Sequence, residues 1–385
     1  MRRRIDRFST TAATIAAEVA APVADQVDAE GRFPKESLDA LRSAELLSAY
    51  VPTEFGGGGA SLAELGSVVA TLARSCASTA MVFAMHQIQV ASLVRHGDNP
   101  ELRDYLRHEV VGRQALLASA TTEQGIGGDV RSSSCAVEES GAGFHLTKQS
   151  PVISYGEHAD AVLVTARRTA DSPPGDQVLV LCARPGLDLE PVSDWDALGM
   201  RGTCSRGFVL RAEGPAWAVL PSAYAEISSR TMLPVSHILW AHLWWGIAEQ
   251  ATAQAHAVVR AEGRRKIGTT PPSAVRLAEL MAALLPFEAM VTRAAEHFDG
   301  LAPESEELAS MRYAIDANSL KIAASTSVVD IVNRALPICG MAGYREDSQF
   351  RLGRLLRDAH SAEVMIGNDR ILANSAQLLL MVRDR

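Results

Sequence analysis

The chain has few cysteines, and they form no pattern typical of metal binding. There are 5 in 385 residues, an odd and scattered set: Cys76, Cys135, Cys182, Cys204 and Cys339. No Cys-x-x-Cys pair or cysteine–histidine cluster occurs. We therefore expect no metal site. Thiols without a pairing pattern are typical of a reducing compartment, so the sequence predicts a cytoplasmic protein.

An excess of positive charge is also missing, and so is a long apolar run. The net charge of -8 argues against a nucleic acid partner. The basic start MRRRIDRF leads into an alanine-rich stretch that Glu18 and Asp25 interrupt, so it lacks the apolar core of a signal peptide. No apolar run is long enough to suggest a helix that crosses a membrane. We expect no membrane span.

The predicted secondary structure changes along the chain. Apolar residues recur at helical spacing in segments such as PKESLDALRSAELL, which predicts a helical domain over residues 1–114. Short β-rich runs such as ADAVLVTARR and DQVLVLCAR, separated by turns, predict a β domain over 115–222. Helical spacing returns over 223–385. This order predicts an α+β fold of three domains.

Three motifs lie in the β region: TTEQGIGGD at 121–129, VISYGEHAD at 152–160 and WDALGMRGTCS at 195–205. Together with EFGGGG near the start, and CGMAGY and RLLRDAHSAEVMIGNDRI near the end, they resemble the acyl-CoA dehydrogenase family over nearly the whole chain. The resemblance implies an N-terminal helical domain, a central β-barrel and a C-terminal four-helix bundle. It also implies a homodimer or homotetramer, because family members complete their FAD sites between chains.

The resemblance implies FAD as the cofactor. Small hydroxyls and backbone N–H groups suit the edge of a flavin ring, which gains negative charge on reduction. A guanidinium suits a pyrophosphate, and the resemblance gives that role to an arginine near the end of the first long helix of the bundle. The positions that match the family's cofactor contacts are Thr122, Ser154, Arg201, Thr203, Ser205, Arg264, Gly340 and Asn368.

Several family positions carry other residues. Ser150 stands at the family's lysine and Val152 at its flavin-stacking tryptophan. The arginine segment reads RRKIG, with Lys266 and Ile267, and Pro337 replaces a glutamine. These changes remove some contacts to FAD, while Asn368 keeps an amide that can form hydrogen bonds.

The largest departure is at Ile366, where the resemblance places the catalytic glutamate. α,β-Dehydrogenation needs a base on the α proton while hydride passes to the flavin, and isoleucine cannot act as one. A second family position for the base aligns with Ser236, beside His237, and the nearest acids are Glu226 and Glu249. The sequence therefore predicts an atypical member without the usual glutamate.

Three explanations stay open. First, His237 is the named candidate for a substitute base, with His242 beside it, because imidazole titrates in a suitable range; packed, hydrogen-bonded histidines are the favoured alternative. A rescue by Glu363 would need a rotated helix. Second, the chain is an FADH2-dependent monooxygenase of a natural-product or aromatic intermediate, in which His86 could donate to oxygen or substrate. Third, it is a non-catalytic subunit of a heteromer.

Of these, the resemblance favours FAD-dependent dehydrogenation of an acyl thioester with a relocated base. The thioester would be carried by CoA or by an acyl carrier protein, and an acceptor flavoprotein would take the electrons. In the monooxygenase alternative, a flavin reductase would supply them instead.

Overall fold

The computed structural model describes residues 7–125, 131–265 and 268–382. The N-terminal domain contains the helices α1 (Arg7–Ile15), α2 (Ala21–Glu30), α3 (Lys35–Ser43), α4 (Leu62–Ser75), α5 (Ala77–His96) and α6 (Pro100–Tyr105). A capping box begins α4: the Ser61 hydroxyl accepts from the Glu64 N–H, and the Glu64 carboxylate accepts from the Ser61 N–H. α5 is buried on nearly every side, as its apolar sequence predicts.

The middle domain contains two four-stranded sheets rather than one. Its strands are β1 (Leu117–Ala120), β2 (Glu138–Ser140), β3 (Gly143–Ile153), β4 (Ala161–Arg167), β5 (Gln177–Ala183), β6 (Leu187–Pro191), β7 (Arg206–Pro215) and β8 (Val219–Ala223). The strand orders are β1-β4-β5-β8 and β2-β3-β7-β6. Among the described strands, β1 and β4 pair in parallel and the remaining ladders are antiparallel.

The predicted closed barrel is wrong. Within the described residues no ladder joins the two sheets, and the single bridge outside the strands links Ala136 to Arg167. In a barrel, inward and outward residues alternate on every strand. Here β3 alternates, whereas β4 and β5 are buried on both faces. The β4–β5 sheet therefore lies between the other sheet and the helices.

The C-terminal region confirms the predicted helical bundle. Its helices are α7 (Tyr224–Ile227), α8 (Leu233–Arg265), α9 (Ser273–Asp299), α10 (Met311–Cys339), α11 (Met341–Tyr344), α12 (Gly353–Val364) and α13 (Asn368–Met381). α8, α9 and α10 pack on one another. α12 and α13 follow each other along α10 and together form the fourth member, which breaks between residues 364 and 368.

Two helices, α5 and α10, are long and apolar enough to cross a membrane by length and composition. The expectation that no such run exists is therefore wrong. The most apolar stretch of α5 is 89% buried in the protein and that of α10 is 44% buried. A buried core helix passes the same test, so this finding is weak evidence for a membrane span.

An ionic contact links the first and third domains. Asp25 on α2 pairs with Arg351 and, at 3.3 Å, with Arg354; Asp28, one turn further along α2, pairs with Arg357. Because these groups are partly buried, the contact is screened less than a surface pair. It holds α12, and with it the broken end of the bundle, against the N-terminal domain.

Candidate active site

Three of the predicted cofactor residues meet in one buried chain of hydroxyls. The Ser154 Oγ lies 2.8 Å from the Ser205 Oγ, which lies 2.7 Å from the Thr203 Oγ1. Thr203 donates to the Met200 carbonyl at 2.9 Å. With its proton used there, Thr203 accepts from Ser205, Ser205 accepts from Ser154, and the Ser154 oxygen keeps lone pairs free for a ligand donor. We call these three residues the hydroxyl chain.

Three residues with strained backbone conformations lie next to members of the hydroxyl chain in the sequence or through a hydrogen bond. Tyr155, Met200 and Cys204 have φ values of 44°, 51° and 45°, in the left-handed region that side chains disfavour. Such residues cost about 1–3 kcal/mol each and cluster at functional sites. Direct contacts hold them: the Tyr155 N–H donates to the Thr203 carbonyl at 2.7 Å, and the Trp195 indole donates to the Met200 carbonyl at 3.2 Å.

Thr122 contacts the end of β3, which is close to Ser154 in the chain. Its hydroxyl donates to the Val152 carbonyl at 3.2 Å and lies 3.3 Å from the Ser150 hydroxyl. The Val152 side chain is 40% exposed, an apolar surface beside polar groups. A flavin ring has a flat apolar face and a polar edge, so the free lone pairs of Ser154 and the exposed Val152 fit it. The rest of the motif TTEQGIGGD, residues 126–129, lies outside the described residues.

A buried ion pair beneath Thr122 was missed from the sequence. The Lys148 Nζ lies 3.6 Å from the Glu123 Oε2, and both side chains are buried. Burial raises the pKa of Glu123, but hydrogen bonds from Ser133 and Ser134 and the Lys148 charge outweigh it and hold the pKa below its ordinary value. Burial lowers the pKa of Lys148. The sequence carried one indication of it, because side chains alternate between the two faces of a strand and Lys148 falls on the buried face of β3.

The two arginines differ in their surroundings. Arg201 donates to the Asp28 carbonyl at 2.8 Å and to Asp196 at 3.0 Å, so it ties the loop before β7 to α2. Arg264 is exposed in the last turn of α8. Lys266 and Ile267 of the same motif lie outside the described residues. A contact of either arginine with a cofactor stays a prediction.

Gly340 ends α10 with a φ of 57°, and among the described residues no atom beyond its neighbours along the chain lies within 4 Å of where a Cβ would stand. It therefore leaves open space next to the bundle. Asn368 is already engaged inside the bundle: its Oδ1 accepts from Lys321 at 2.7 Å, and its amide donates to the Ser325 hydroxyl at 3.1 Å. Their predicted contacts with FAD stay predictions.

Ile366 lies at the break between α12 and α13. Its φ is 49°, a genuine outlier for a β-branched residue, and 43% of the residue is exposed. The Lys321 Nζ donates to its carbonyl at 3.0 Å and to the Ala362 carbonyl at 3.0 Å. One buried lysine therefore holds the strained turn at the position assigned to the base.

Lys321 was also missed from the sequence. It is fully buried in α10, forms no ion pair with a carboxylate among the described residues, and lies 5.7 Å from the centre of the Trp244 ring. Burial lowers its pKa to about 8. Its three donors are all used, on the Ala362 and Ile366 carbonyls and the Asn368 amide oxygen.

Replacing Lys321 by methionine is expected to change how stability depends on pH. Between pH 8 and the ordinary lysine pKa of 10.5, the unfolded chain binds more protons at this residue than the folded one. Stability of the wild type therefore rises with pH in this window relative to the variant. Chemical denaturation at several pH values measures the difference. Lys35→Met, at an exposed lysine on α3, is the control for the loss of one lysine side chain.

The three candidate histidines are buried and hydrogen-bonded to the backbone. The Nδ1 of His237 lies 3.0 Å from the Ala317 carbonyl, and that of His242 lies 2.8 Å from the Ile238 carbonyl. The Nε2 of His86 lies 2.7 Å from the Leu47 carbonyl, and its Nδ1 accepts from the Leu117 N–H at 3.0 Å. Burial lowers the pKa of each to about 4. This geometry fits packed, neutral histidines.

The carboxylates nearest to Ser236, the second family position for the base, form ion pairs with arginines. Glu249 pairs with Arg74 at 3.6 Å and Glu226 with Arg230 at 3.8 Å. The Ser236 hydroxyl donates to the Met232 carbonyl of its own helix at 2.5 Å. Across the described ranges no group of three or more histidine, cysteine, aspartate or glutamate side chains could hold a metal ion.

Two models of known protein domains match the chain. The model of the acyl-CoA dehydrogenase N-terminal domain matches residues 4–113, and that of the C-terminal domain matches residues 228–377. One relative is cyclohex-1-ene-1-carbonyl-CoA dehydrogenase of Geobacter metallireducens, with 25% identity over 93% of this chain and 92% of that protein.

Two further similar proteins are monooxygenases by name. The probable FMNH2-dependent monooxygenase SfnC of Pseudomonas putida is 26% identical over 86% of this chain and 85% of its own. The FMN-bound structure of TdsC from Paenibacillus sp. A11-2, a dibenzothiophene monooxygenase, superposes with a TM-score of 0.85 at 20% identity, over 99% of this chain and 98% of that one. The latter likeness shows a shared fold. The two domain matches, which together cover most of the chain, show that it belongs to the acyl-CoA dehydrogenase family of flavin-dependent oxidoreductases.

Proposed function

We propose that the protein is a reduced-flavin-dependent monooxygenase of an apolar or aromatic substrate. The observation that carries this proposal is Ile366, an isoleucine in a strained turn at the position that the motifs assign to the catalytic glutamate. Proton abstraction next to a thioester carbonyl needs a base within reach. Oxygen transfer driven by a reduced flavin does not need a carboxylate there. The likeness to SfnC supports the same class.

The bound flavin would supply two electrons to molecular oxygen, so that one oxygen atom enters the substrate and the other leaves as water. The residues of this chain would orient the ring. The hydroxyl chain and Thr122 would face its polar edge, and Val152 would lie against its face. Ile366 would place an apolar side chain, and no proton acceptor, at the position that the motifs assign to the base. FAD is the flavin we expect, supplied in reduced form by a separate flavin reductase.

The second candidate is dehydrogenation of an acyl thioester, carried by CoA or an acyl carrier protein, with His237 as base. One observation favours it: with Nδ1 donating to the Ala317 carbonyl, the proton is on Nδ1 and Nε2 is the basic nitrogen. A pKa near 4 matches that of a carboxylate base. Burial of the ring argues against it, because His237 is only 2% exposed.

Replacing His237 by glutamine separates the two candidates. Glutamine keeps a donor for the Ala317 carbonyl but cannot take a proton. If His237 is only a packing residue, turnover is expected to stay within about twofold of the wild type. If it is the base, turnover is expected to fall by about 10²–10⁴. The difference is measured as the steady-state turnover of one substrate by the wild type and by the variant. His242→Gln, also on α8, is the matched control.

The proposed activity is tested with a flavin reductase, NADH and either FAD or FMN under air. Thioethers, indoles and other aromatic compounds are the substrate panel. The proposal predicts a product whose mass is one oxygen greater, with the label retained from ¹⁸O2. A protein that binds neither flavin and gives no product with any compound would favour the non-catalytic subunit instead.

We also propose a homo-oligomer in the cytoplasm. Large apolar side chains are exposed on α9 and α13 of the bundle: Val275, Leu285, Leu372, Leu379 and Leu380. Exposed apolar groups concentrated on one domain are typical of protein interfaces. Light scattering after size-exclusion chromatography is expected to give the mass of a dimer or tetramer. A monomer at micromolar concentration would overturn this part of the proposal.

A further inference from the structure

Asp358 on α12 reaches out of the bundle to the loop before β7. Its Oδ1 accepts the Met200 N–H at 2.7 Å, and the residue is 2% exposed. The helix and the loop touch through their backbones here, because a Cβ on Gly199 would lie 2.2 Å from the Arg357 carbonyl oxygen and 2.7 Å from the Asp358 nitrogen. Only glycine fits such an approach.

Met200, whose N–H Asp358 accepts, also contacts the hydroxyl chain. Met200 has a φ of 51°, and its carbonyl accepts from the Thr203 hydroxyl at 2.9 Å. Thr203 leads through Ser205 to Ser154. A series of hydrogen bonds, joined through the backbone of Met200, therefore runs from the Asp358 carboxylate to Ser154, between the bundle and the middle domain.

We infer that Asp358 is a positioning residue, whose carboxylate fixes the left-handed turn at Met200 and thereby holds the hydroxyl chain in the arrangement that binds the flavin edge. The inference rests on the proposed flavin binding. Asp358 itself does not touch the cofactor; it acts through the Met200 amide. A charged acceptor holds an N–H more strongly than a neutral one, so ionised Asp358 fixes the turn best.

Burial sets the direction of the pKa shift of Asp358, and the charges around it modify that shift. Burial raises its pKa to about 6, while Arg354 on the same helix opposes this shift. Arg357 also favours the ionised form, and Asp28 on α2 disfavours it. The buried thiol of Cys76, between α4 and α5, faces the same cluster and has a raised pKa. Asp358 is therefore ionised at pH 7.5 and largely protonated at pH 5.

The experiment compares Asp358→Asn with Asp25→Asn by measuring FAD affinity from pH 5 to 8. Asp25 belongs to the same α2–α12 contact but its carboxylate binds Arg351 and Arg354 rather than the loop. The wild type and Asp25→Asn are expected to bind FAD about tenfold more weakly at pH 5 than at pH 7.5, since losing a charge-assisted hydrogen bond costs about 1.5 kcal/mol. Asp358→Asn is expected to bind weakly at both pH values. A wild-type affinity independent of pH, or an unchanged slope in Asp358→Asn, would overturn the inference.

Hydrogen exchange without flavin separates this inference from the proposed function. The peptide that contains residues 199–205 is expected to lose protection in Asp358→Asn and to keep it in Asp25→Asn. Unchanged protection in Asp358→Asn would overturn the inference even if FAD binds. If FAD does not bind the wild type at all, the proposed function fails while the loss of protection still supports the role of Asp358 in the loop. Protection of this peptide in the wild type is also measured from pH 5 to 8. That measurement needs no variant, so it tests the inference even if Asp358→Asn does not fold.

Discussion

Replacing Glu123 by glutamine is expected to lower the free energy of unfolding by about 3–5 kcal/mol. The change leaves the ammonium of Lys148 buried without its counter-charge, and the desolvation cost of that ion is then uncompensated. The two remaining acceptors of Lys148, the carbonyl and hydroxyl of Thr165 at 2.6 Å and 2.9 Å, are neutral. Chemical denaturation at pH 7 measures the effect.

Two further variants show whether the pair itself is responsible. The double variant Glu123→Gln with Lys148→Met removes both charges and is expected to recover part of the loss, because a buried pair replaced by neutral groups is often close to neutral in stability. Glu138→Gln removes the partner of His145 at an exposed pair, and is expected to cost less than about 1 kcal/mol. A loss in Glu123→Gln as small as that of Glu138→Gln would contradict the account of this pair.

Replacing Ser205 by alanine is expected to weaken FAD binding about tenfold or more. Ser205 is the middle member of the hydroxyl chain, 2.8 Å from Ser154 and 2.7 Å from Thr203. Its loss leaves Ser154 buried without its partner, which costs about 1–3 kcal/mol and releases the hydroxyl that faces the flavin edge. Fluorescence titration with FAD measures the affinity.

The control for this change is Ser193→Ala. Ser193 lies in the same region and its hydroxyl accepts the Gly207 N–H at 2.9 Å, but it is not part of the hydroxyl chain. It is expected to leave FAD affinity within about twofold while costing a similar amount of stability. Equal loss of affinity in both variants would mean that the region responds to any lost hydrogen bond, and that the hydroxyl chain has no special role.

Much of this site could be predicted from the order of three motifs. Ser154 is some fifty residues away from Thr203 and Ser205 in the chain, yet all three were assigned to the flavin site and they meet in one set of hydrogen bonds. Whether this surface holds FAD stays a prediction, which the affinity measurements above test.

The parts that sequence reasoning missed depend on long-range partners. Lys148 falls on the buried face of β3, but nothing nearby in the sequence indicates that Glu123 lies beneath it. Lys321 is an ordinary lysine in a helical pattern, and only the fold brings the Ile366 carbonyl to it. The closed barrel was wrong for a related reason: runs such as ADAVLVTARR predict strands, but the closure of a sheet depends on pairings that no local pattern records.

The most direct test of the central claim is an anaerobic visible spectrum of the FAD-loaded protein, recorded before and after a panel of acyl thioesters is added. The account predicts that no thioester bleaches the flavin band, because Ile366 cannot take the α proton and His237 is packed in the bundle. Bleaching by any thioester would contradict it, and would show that the protein is a dehydrogenase whose base has moved away from position 366.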